Sequence, residues 1–342
     1  MDRLFSRPRF RTIALLLALG AAFAAGYVVR ALRDEAGQRN GEIRLEGYQF
    51  INPLLECEAG KDAGSARELR PFEERLRQIV RAQASKRSVR AVSVYFRDLK
   101  NGPWVGVNEE ERFTPASLMK VPLMMTILKR AESDPSLLQL RLTYDGSEDL
   151  TERQSIKPPE GLRKGAAYTV DELIFRMIAY SDNNATRLLA GKGGEARVAA
   201  LMNELGVPYR RDSSEDYISV RDYTSFFRVL FNASYLTHEM SERALAYLSR
   251  SSFADGIESG LPPGTPLASK FGEYSRKTLE GDEFQLHELG IVYYSDHPYL
   301  LGIAVKGSDA AILPGIIGDI SGNVYREVDL QHRSSAALPD GP

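Results

Sequence analysis

Two periods of apolar and polar residues alternate along this chain, and the change from one to the other outlines a domain. After Pro71, Leu76, Ile79 and Val80 recur at helical spacing and predict an amphipathic helix over Phe72–Arg87. Val89–Asp98 then alternates through Val92, Val94 and Phe96, Asn101-Gly102 supplies a turn, and Trp104–Val107 returns, which together predict a hairpin. Helical spacing dominates from Ser117 to Leu248, with breaks at Asp134-Pro135, Pro158–Gly161, Gly191–Gly194 and Gly206–Pro208. Beyond Pro262-Pro263-Gly264 the pattern is strand-like again, over Ala268–Gly272, Leu286–Tyr294 and Tyr299–Lys306, with Ser295–Pro298 as a turn. Ile312–Val328 reads as a closing helix, weakened by Pro314 and its glycines, and Asp329–Pro342 as a loose tail. Strands at both ends of the domain and helices in the middle predict an α/β domain of the α+β type. One sheet is drawn from both ends, with flanking helices and an inserted helical lobe.

Upstream of this domain the pattern has a different meaning. Arg3, Arg7, Arg9 and Arg11 precede an uncharged stretch from Thr12 to Val29, and Arg30 and Arg33 follow it. About eighteen residues at helical rise span roughly 27 Å, close to the hydrocarbon thickness of a bilayer. The arginines favour a cytoplasmic N-terminus (residues 1–11), a membrane anchor over 12–32, and a body outside the membrane. Ala22-Phe23-Ala24 is an acceptable cleavage site, so a removed signal peptide and a secreted body form the competing reading. Residues 33–70 read as a tether broken by Gly37, Gly41, Gly47, Gly60 and Gly64. An apolar island, Tyr48–Leu55, interrupts the tether, and the sequence leaves open whether it docks on the domain or on a partner.

Composition narrows the chemistry. A net charge of -2 over 342 residues gives no electrostatic reason for a nucleic-acid partner. Cys57 is the sole cysteine, which removes internal disulfides and cysteine-rich metal sites. His238, His287, His297 and His332 lack metal-ligand spacing and read as surface or packing residues, so neither a metal nor another cofactor is expected.

Candidate chemistry begins at Phe113–Lys120. Thr114 is a suitable N-cap and Pro115 suits the first helical position, which places Ser117 in a first turn and Lys120 three residues on, on the same face. A serine needs a neighbouring base to lose its proton, and a lysine whose pKa is lowered by burial supplies one. Ser-x-x-Lys also occurs on many helices without any catalytic meaning. Ser181-Asp182-Asn183 follows a helix expected over Val170–Ala179 and by itself reads as a cap. Lys270-Phe271-Gly272 lies on a predicted strand, where a lysine also serves simply to protect a sheet edge.

In that order, from about Arg70 to Val328, the three segments resemble the Ser-x-x-Lys, Ser-Asp-Asn and Lys-Thr-Gly set of class A β-lactamases and penicillin-binding proteins. The resemblance implies an antiparallel sheet beside an all-helical lobe, with the active site between them. It implies Ser117 as acylated nucleophile, Lys120 as base or relay, Ser181 as the path to the leaving nitrogen, and Lys270 as a positive charge near Ser181 and the substrate carboxylate. Asn183 is then expected to hold the substrate amide and bond Lys120. The backbone N–H groups of Ser117 and Glu273, the residue after Gly272, are the expected oxyanion donors. The implied substrate is a β-lactam or a peptidoglycan-like D-Ala-D-Ala end, handled by a monomer anchored to the membrane.

Two departures qualify that expectation. Phe271 replaces the family's hydroxyl residue, which removes a bond to a substrate carboxylate and predicts an apolar wall, while Glu273 adds a negative charge. The family's Glu-x-x-Leu-Asn pattern is absent from Val207–Tyr217, and Glu215 is the best-placed stand-in for a deacylating base. A binding module with a silent site, or an esterase or amidase for another acyl donor, are the alternatives these departures raise.

Overall fold

The computed structural model describes residues 48–52, 69–100, 102–191, 193–210, 214–279, 281–295 and 297–336. They belong to one compact unit, and the expected anchor and most of the tether lie outside the described residues.

The chain enters the domain through helix α1 (Arg70–Ala84), with proline in its first turn and Phe72, Leu76 and Val80 buried. Strands β1 (Val89–Asp98) and β2 (Trp104–Val107) form the hairpin read from the sequence, with Val94 opposite Val107 and Arg97 opposite Trp104. A two-residue strand β3 (Arg112–Phe113) precedes a 3-10 turn, Ala116–Met119, which runs into α2 (Lys120–Ser133).

The helical lobe follows. Strands β4 (Arg141–Thr143) and β5 (Ala167–Thr169) pair with each other and lead into α3 (Val170–Ala179), α4 (Asn183–Ala190) and α5 (Gly194–Glu204). Strand β6 (Ile218–Ser219) pairs with β3 and opens into α6 (Val220–Phe231), then α7 (His238–Leu248). Reciprocal capping boxes start α3 (Thr169 with Glu172) and α6 (Ser219 with Asp222), each satisfying otherwise orphaned amides.

The chain returns to the sheet as β7 (Leu267–Thr278), β8 (Gly281–Val292) and β9 (Tyr299–Gly307), and closes with α8 (Leu313–Ala336). The five-stranded sheet has the order β2-β1-β9-β8-β7, antiparallel throughout. Val92, Val94 and Phe96 face a core shared with α1 and with Ile316, Ile317, Ile320 and Val324 of α8.

Several details differ from the sequence reading. The β7–β8 hairpin runs well past Gly272, through Glu273–Thr278 and Gly281–Gln285, where polar residues carry the ladder without an apolar alternation to announce it. Pro314 does not break α8, because it sits in the first turn, where no intrahelical amide bond is lost. The expected tail from Asp329 is helical as far as Ala336.

Residues 48–52 of the apolar island dock on the domain, and its last three residues lie outside the described ones. The Glu242 carboxylate accepts the amides of Gln49, Phe50 and Ile51 at 2.7–3.0 Å, and the Asn52 amide donates to Phe231 O at 2.6 Å. Phe50 packs edge-on against Tyr293 at 5.4 Å, and Tyr293 Oη donates to Phe50 O at 2.9 Å.

Candidate active site

Ser117 lies on the 3-10 turn, one step before α2. Thr114 is not its N-cap, because each of its polar groups is already engaged elsewhere. Its N–H donates to Gln285 Oε1 (3.0 Å), its hydroxyl to Asp216 Oδ1 (2.6 Å), and its carbonyl accepts from His287 Nε2 (2.9 Å). Gln285 and His287 are two apart on β8 and so face the same side, which is how one strand grips the approach to the nucleophile. Ala116, immediately before Ser117, is held at φ +47°, a left-handed conformation that costs on the order of 1–3 kcal/mol for a residue with a Cβ. The buried bonds at Thr114 hold that turn in place.

Lys120 is the centre of the site. Its side chain is 4% exposed. Nζ lies 2.9 Å from Ser117 Oγ, 3.0 Å from Ser181 Oγ, 2.6 Å from Ser181 O and 2.7 Å from Asn183 Oδ1. Four oxygens surround a group that has at most three protons, so the neutral amine, with its lone pair, suits the Ser117 hydroxyl proton. Burial pushes the Lys120 pKa down to about 7, against the opposing charges of Asp182 and Glu273. Lys120 is therefore poised to be a base near neutral pH.

Ser181 is held at φ +55° between α3 and α4, which turns its hydroxyl and its carbonyl toward Lys120. Asp182 caps α4 through the amides of Asn184 (2.8 Å) and Ala185 (3.1 Å), and burial raises its pKa against those bonds. Gln154 ties this turn together: Oε1 accepts from Asn183 N–H at 3.2 Å, and Nε2 donates to Ser181 O at 3.0 Å. No sequence signal marked Gln154, since its role comes from a loop that packs onto the turn from another part of the chain.

The strand wall is built differently. Gly272 is required by close approach, because a Cβ there would lie 3.2 Å from Pro115 O and 3.3 Å from Leu118 N. This packs β7 against the nucleophile turn. Lys270 is fully buried, and its Nζ donates to Phe271 O at 2.9 Å and lies 4.0 Å over the Phe271 ring. Burial, together with the charge of Lys120, pushes its pKa well below the ordinary lysine range.

Phe271 is 1% exposed and packs on Phe253 at 4.7 Å in the core, so it does not form the apolar wall of the cleft that the sequence reading expected. The Ser269 hydroxyl points to the face opposite Lys270 and donates to buried Glu288 at 2.7 Å. Burial raises the Glu288 pKa to about 7 against bonds from Ile257 N–H and Ser269. Glu273 extends its carboxylate to the amides of Ser155 (2.9 Å) and Ile156 (3.1 Å).

Glu215 is not among the residues gathered around Ser117. Its side chain is 53% exposed and pairs with Arg210 at 3.5 Å. The loop is held instead by Asp216, which accepts from Thr114, Gln285, Arg276 and Lys306. Burial alone would raise the Asp216 pKa, but bonds from Gln285, Thr114 and Lys306 and the Lys306 charge hold it well below the usual carboxylate range. The polar residues Gln285, His287 and Glu288, set among the apolar positions of Phe284–Val292, were the available signal for this buried network. Burial lowers the His287 pKa to about 4, so above that pH its neutral ring donates through Nε2 to Thr114 O. Among the described residues, no group of His, Cys, Asp or Glu side chains is arranged to hold a metal ion.

A half-buried serine joined to a buried lysine and a second, buried serine, between a sheet and a helical lobe, defines a serine acyl-transfer site. Residues 71–328 match the model of the β-lactamase enzyme family, and the chain belongs to that family of serine hydrolases. It is 33% identical over 156 residues to β-lactamase L2 of Stenotrophomonas maltophilia, covering 45% of this chain and 49% of that protein. It therefore spans about half the length of L2. A β-lactamase of Streptomyces fradiae is 25% identical over 289 residues, or 80% of this chain and 82% of the relative. Among solved structures, PBP-A aligns with a TM-score of 0.62 at 21% identity, over 75% of this chain and 96% of that one. A class A β-lactamase from Mycobacterium abscessus aligns with a TM-score of 0.65 at 20% identity, over 74% and 99%. Both share the fold.

Proposed function

We propose that this protein forms an acyl-enzyme on Ser117 with β-lactams or with D-Ala-D-Ala-like ends of the cell wall, and releases the acyl group slowly. The observation that carries the reading is the contact of Lys120 Nζ with both Ser117 Oγ and Ser181 Oγ. Neutral Lys120 takes the proton as Ser117 Oγ attacks the carbonyl carbon. The oxyanion is received by the N–H groups of Ser117 and Glu273. The proton passes through Ser181 Oγ to the leaving nitrogen as the C–N bond breaks. Asn183 keeps Lys120 aimed, with its carbonyl oxygen 2.7 Å from Nζ.

Release is the slower half because the loop acid Glu215 is paired outward with Arg210. General-base assistance of the attacking water is worth about 10² to 10⁴ in rate. Similarity to proteins named as β-lactamases supports the substrate class. A mutant of PBP-A solved as an acyl-enzyme complex with penicillin G supports the chemistry in a protein of this fold. The arginine-flanked apolar stretch at Thr12–Val29 supports a catalytic body tethered outside the cytoplasmic membrane. Among the described residues no helix is long and apolar enough to cross a membrane.

Intact-protein mass spectrometry after exposure to a panel of β-lactams tests the reading. A persistent adduct located on Ser117, and absent from folded Ser117→Ala, is the expected result. Unmodified protein with every donor overturns it.

A further inference from the structure

Glu273 occupies a position with two consequences. It directly follows Gly272, whose backbone rests against Pro115 and Leu118 of the nucleophile turn, and its N–H is the second expected oxyanion donor. Its side chain then leaves the strand and ends on the amides of Ser155 and Ile156. Those amides belong to the same loop as Gln154, whose side chain bonds the Asn183 amide and the carbonyls of Ser181 and Ile156. The loop over 154–156 is thus fastened to both walls: through Gln154 to the serine turn, and through Glu273 to the strand.

The charge balance points the same way. Lys270, the cation expected to face a substrate anion, is fully buried with its ammonium turned onto Phe271 O and the Phe271 ring. Phe271 supplies no hydroxyl and is itself buried in the core. Glu273 is only half-buried, and its charge is felt at both Lys120 and Lys270. The strand wall therefore presents a carboxylate where an anionic donor would need a cation, and a second carboxylate close to it is repelled.

We propose that Glu273 is a specificity gate for the acyl donor. It straps the loop over 154–156 across the approach to Ser117, and it favours donors that are neutral or bear N–H groups where they meet the strand over donors that carry a carboxylate there. This rests on acylation of Ser117 and refines it, by naming the chemical class of donor that the site accepts fastest.

Two variants separate strap from charge. In Glu273→Gln the side-chain oxygen still accepts the loop amides but the charge is gone, whereas Glu273→Ala removes both. Acylation rates of the full chain are compared for penicillin G and its methyl ester, a pair that differs only in the carboxylate. The ester-to-acid rate ratio is expected to fall about tenfold in Glu273→Gln, the size of one charge contact removed at a partly screened distance. Hydrogen exchange at the amides of Ser155 and Ile156 is expected to rise in Glu273→Ala and much less in Glu273→Gln. A ratio unchanged within about twofold in Glu273→Gln overturns the charge selection. Unchanged exchange in Glu273→Ala, with the fold verified by thermal unfolding, overturns the strap. Absence of any adduct in all three proteins counts against acylation of Ser117 instead, and the exchange measurement then decides the strap by itself.

Discussion

The two walls of the cleft carry lysines of similar origin in very different states. On the helical wall, Lys120 is pressed among four oxygens: the hydroxyls of Ser117 and Ser181 give the proton its path, and the carbonyl oxygens of Ser181 and Asn183 hold the amine in place. On the strand wall, Lys270 has withdrawn beneath an aromatic ring and bonds a neighbouring carbonyl, while Glu273 reaches across the opening. The difference teaches that a motif fixes residue types and not where their charges end up. The groups that move the proton are assembled on one side, and the usual reception for an anion is missing on the other.

The largest effects should separate the two lysines. Lys120→Met is expected to slow Ser117 acylation by about 10² to 10⁴, the range for losing a general base. Lys270→Met is expected to slow it by less than about tenfold, because its ammonium is engaged by Phe271 O and the Phe271 ring. Pre-steady-state acylation of both variants with one chromogenic β-lactam makes the test, and equal losses would break the comparison.

A smaller effect probes what holds Lys270 in place. Phe271→Ala empties a fully buried site beside Phe253, and should cost about 3–5 kcal/mol in denaturant unfolding. A cost under about 1 kcal/mol would mean that the strand wall is not anchored in the core as described.

Asp216 joins the walls, accepting from Thr114 on one side and from Arg276, Gln285 and Lys306 on the other. Its folded pKa is depressed, so its stabilisation is fully present above the ordinary aspartate value of about 4 and is lost as pH falls through the folded value. Asp216→Asn should cost about 2 kcal/mol at neutral pH, the worth of hydrogen bonds to a charged group. The gap between wild type and variant should begin to narrow below about pH 4 and go on narrowing as pH falls toward the depressed folded value, and a gap independent of pH would remove the charge from the explanation.

Much of the frame was legible from periodicity. Strands β1 and β2 and helix α3 begin and end where alternation and helical spacing place them, because Val92, Val94 and Phe96 on one face of β1 and the apolar stripe of α3 each meet a core. The motif residues Ser117, Lys120, Ser181 and Asn183 were legible too, and they meet in space. What the pattern missed depends on contacts between distant segments. Thr114 looks like a cap in isolation, but Asp216 and Gln285 arrive from over a hundred residues away to claim it. Phe271 looks like a substrate wall only if its ring is assumed to face the cleft, and the strand turns it to the core. The outer β7–β8 hairpin is polar on both faces, so no period marks it. Glu215 was chosen by position along a loop, and its charge is satisfied by Arg210 in the same loop.

The central claim is that a buried, neutral Lys120 activates Ser117, and the pH dependence of acylation tests it most directly. A lysine with a pKa of about 7 is protonated below that value and free to accept a proton above it. The acylation rate of Ser117, measured by quenched mass spectrometry between about pH 5 and 9, should rise roughly tenfold per pH unit and level off above about 7, with the slope lost in Lys120→Met. A rate that is flat across that range, or that keeps climbing toward the ordinary lysine value near 10.4, would contradict the account.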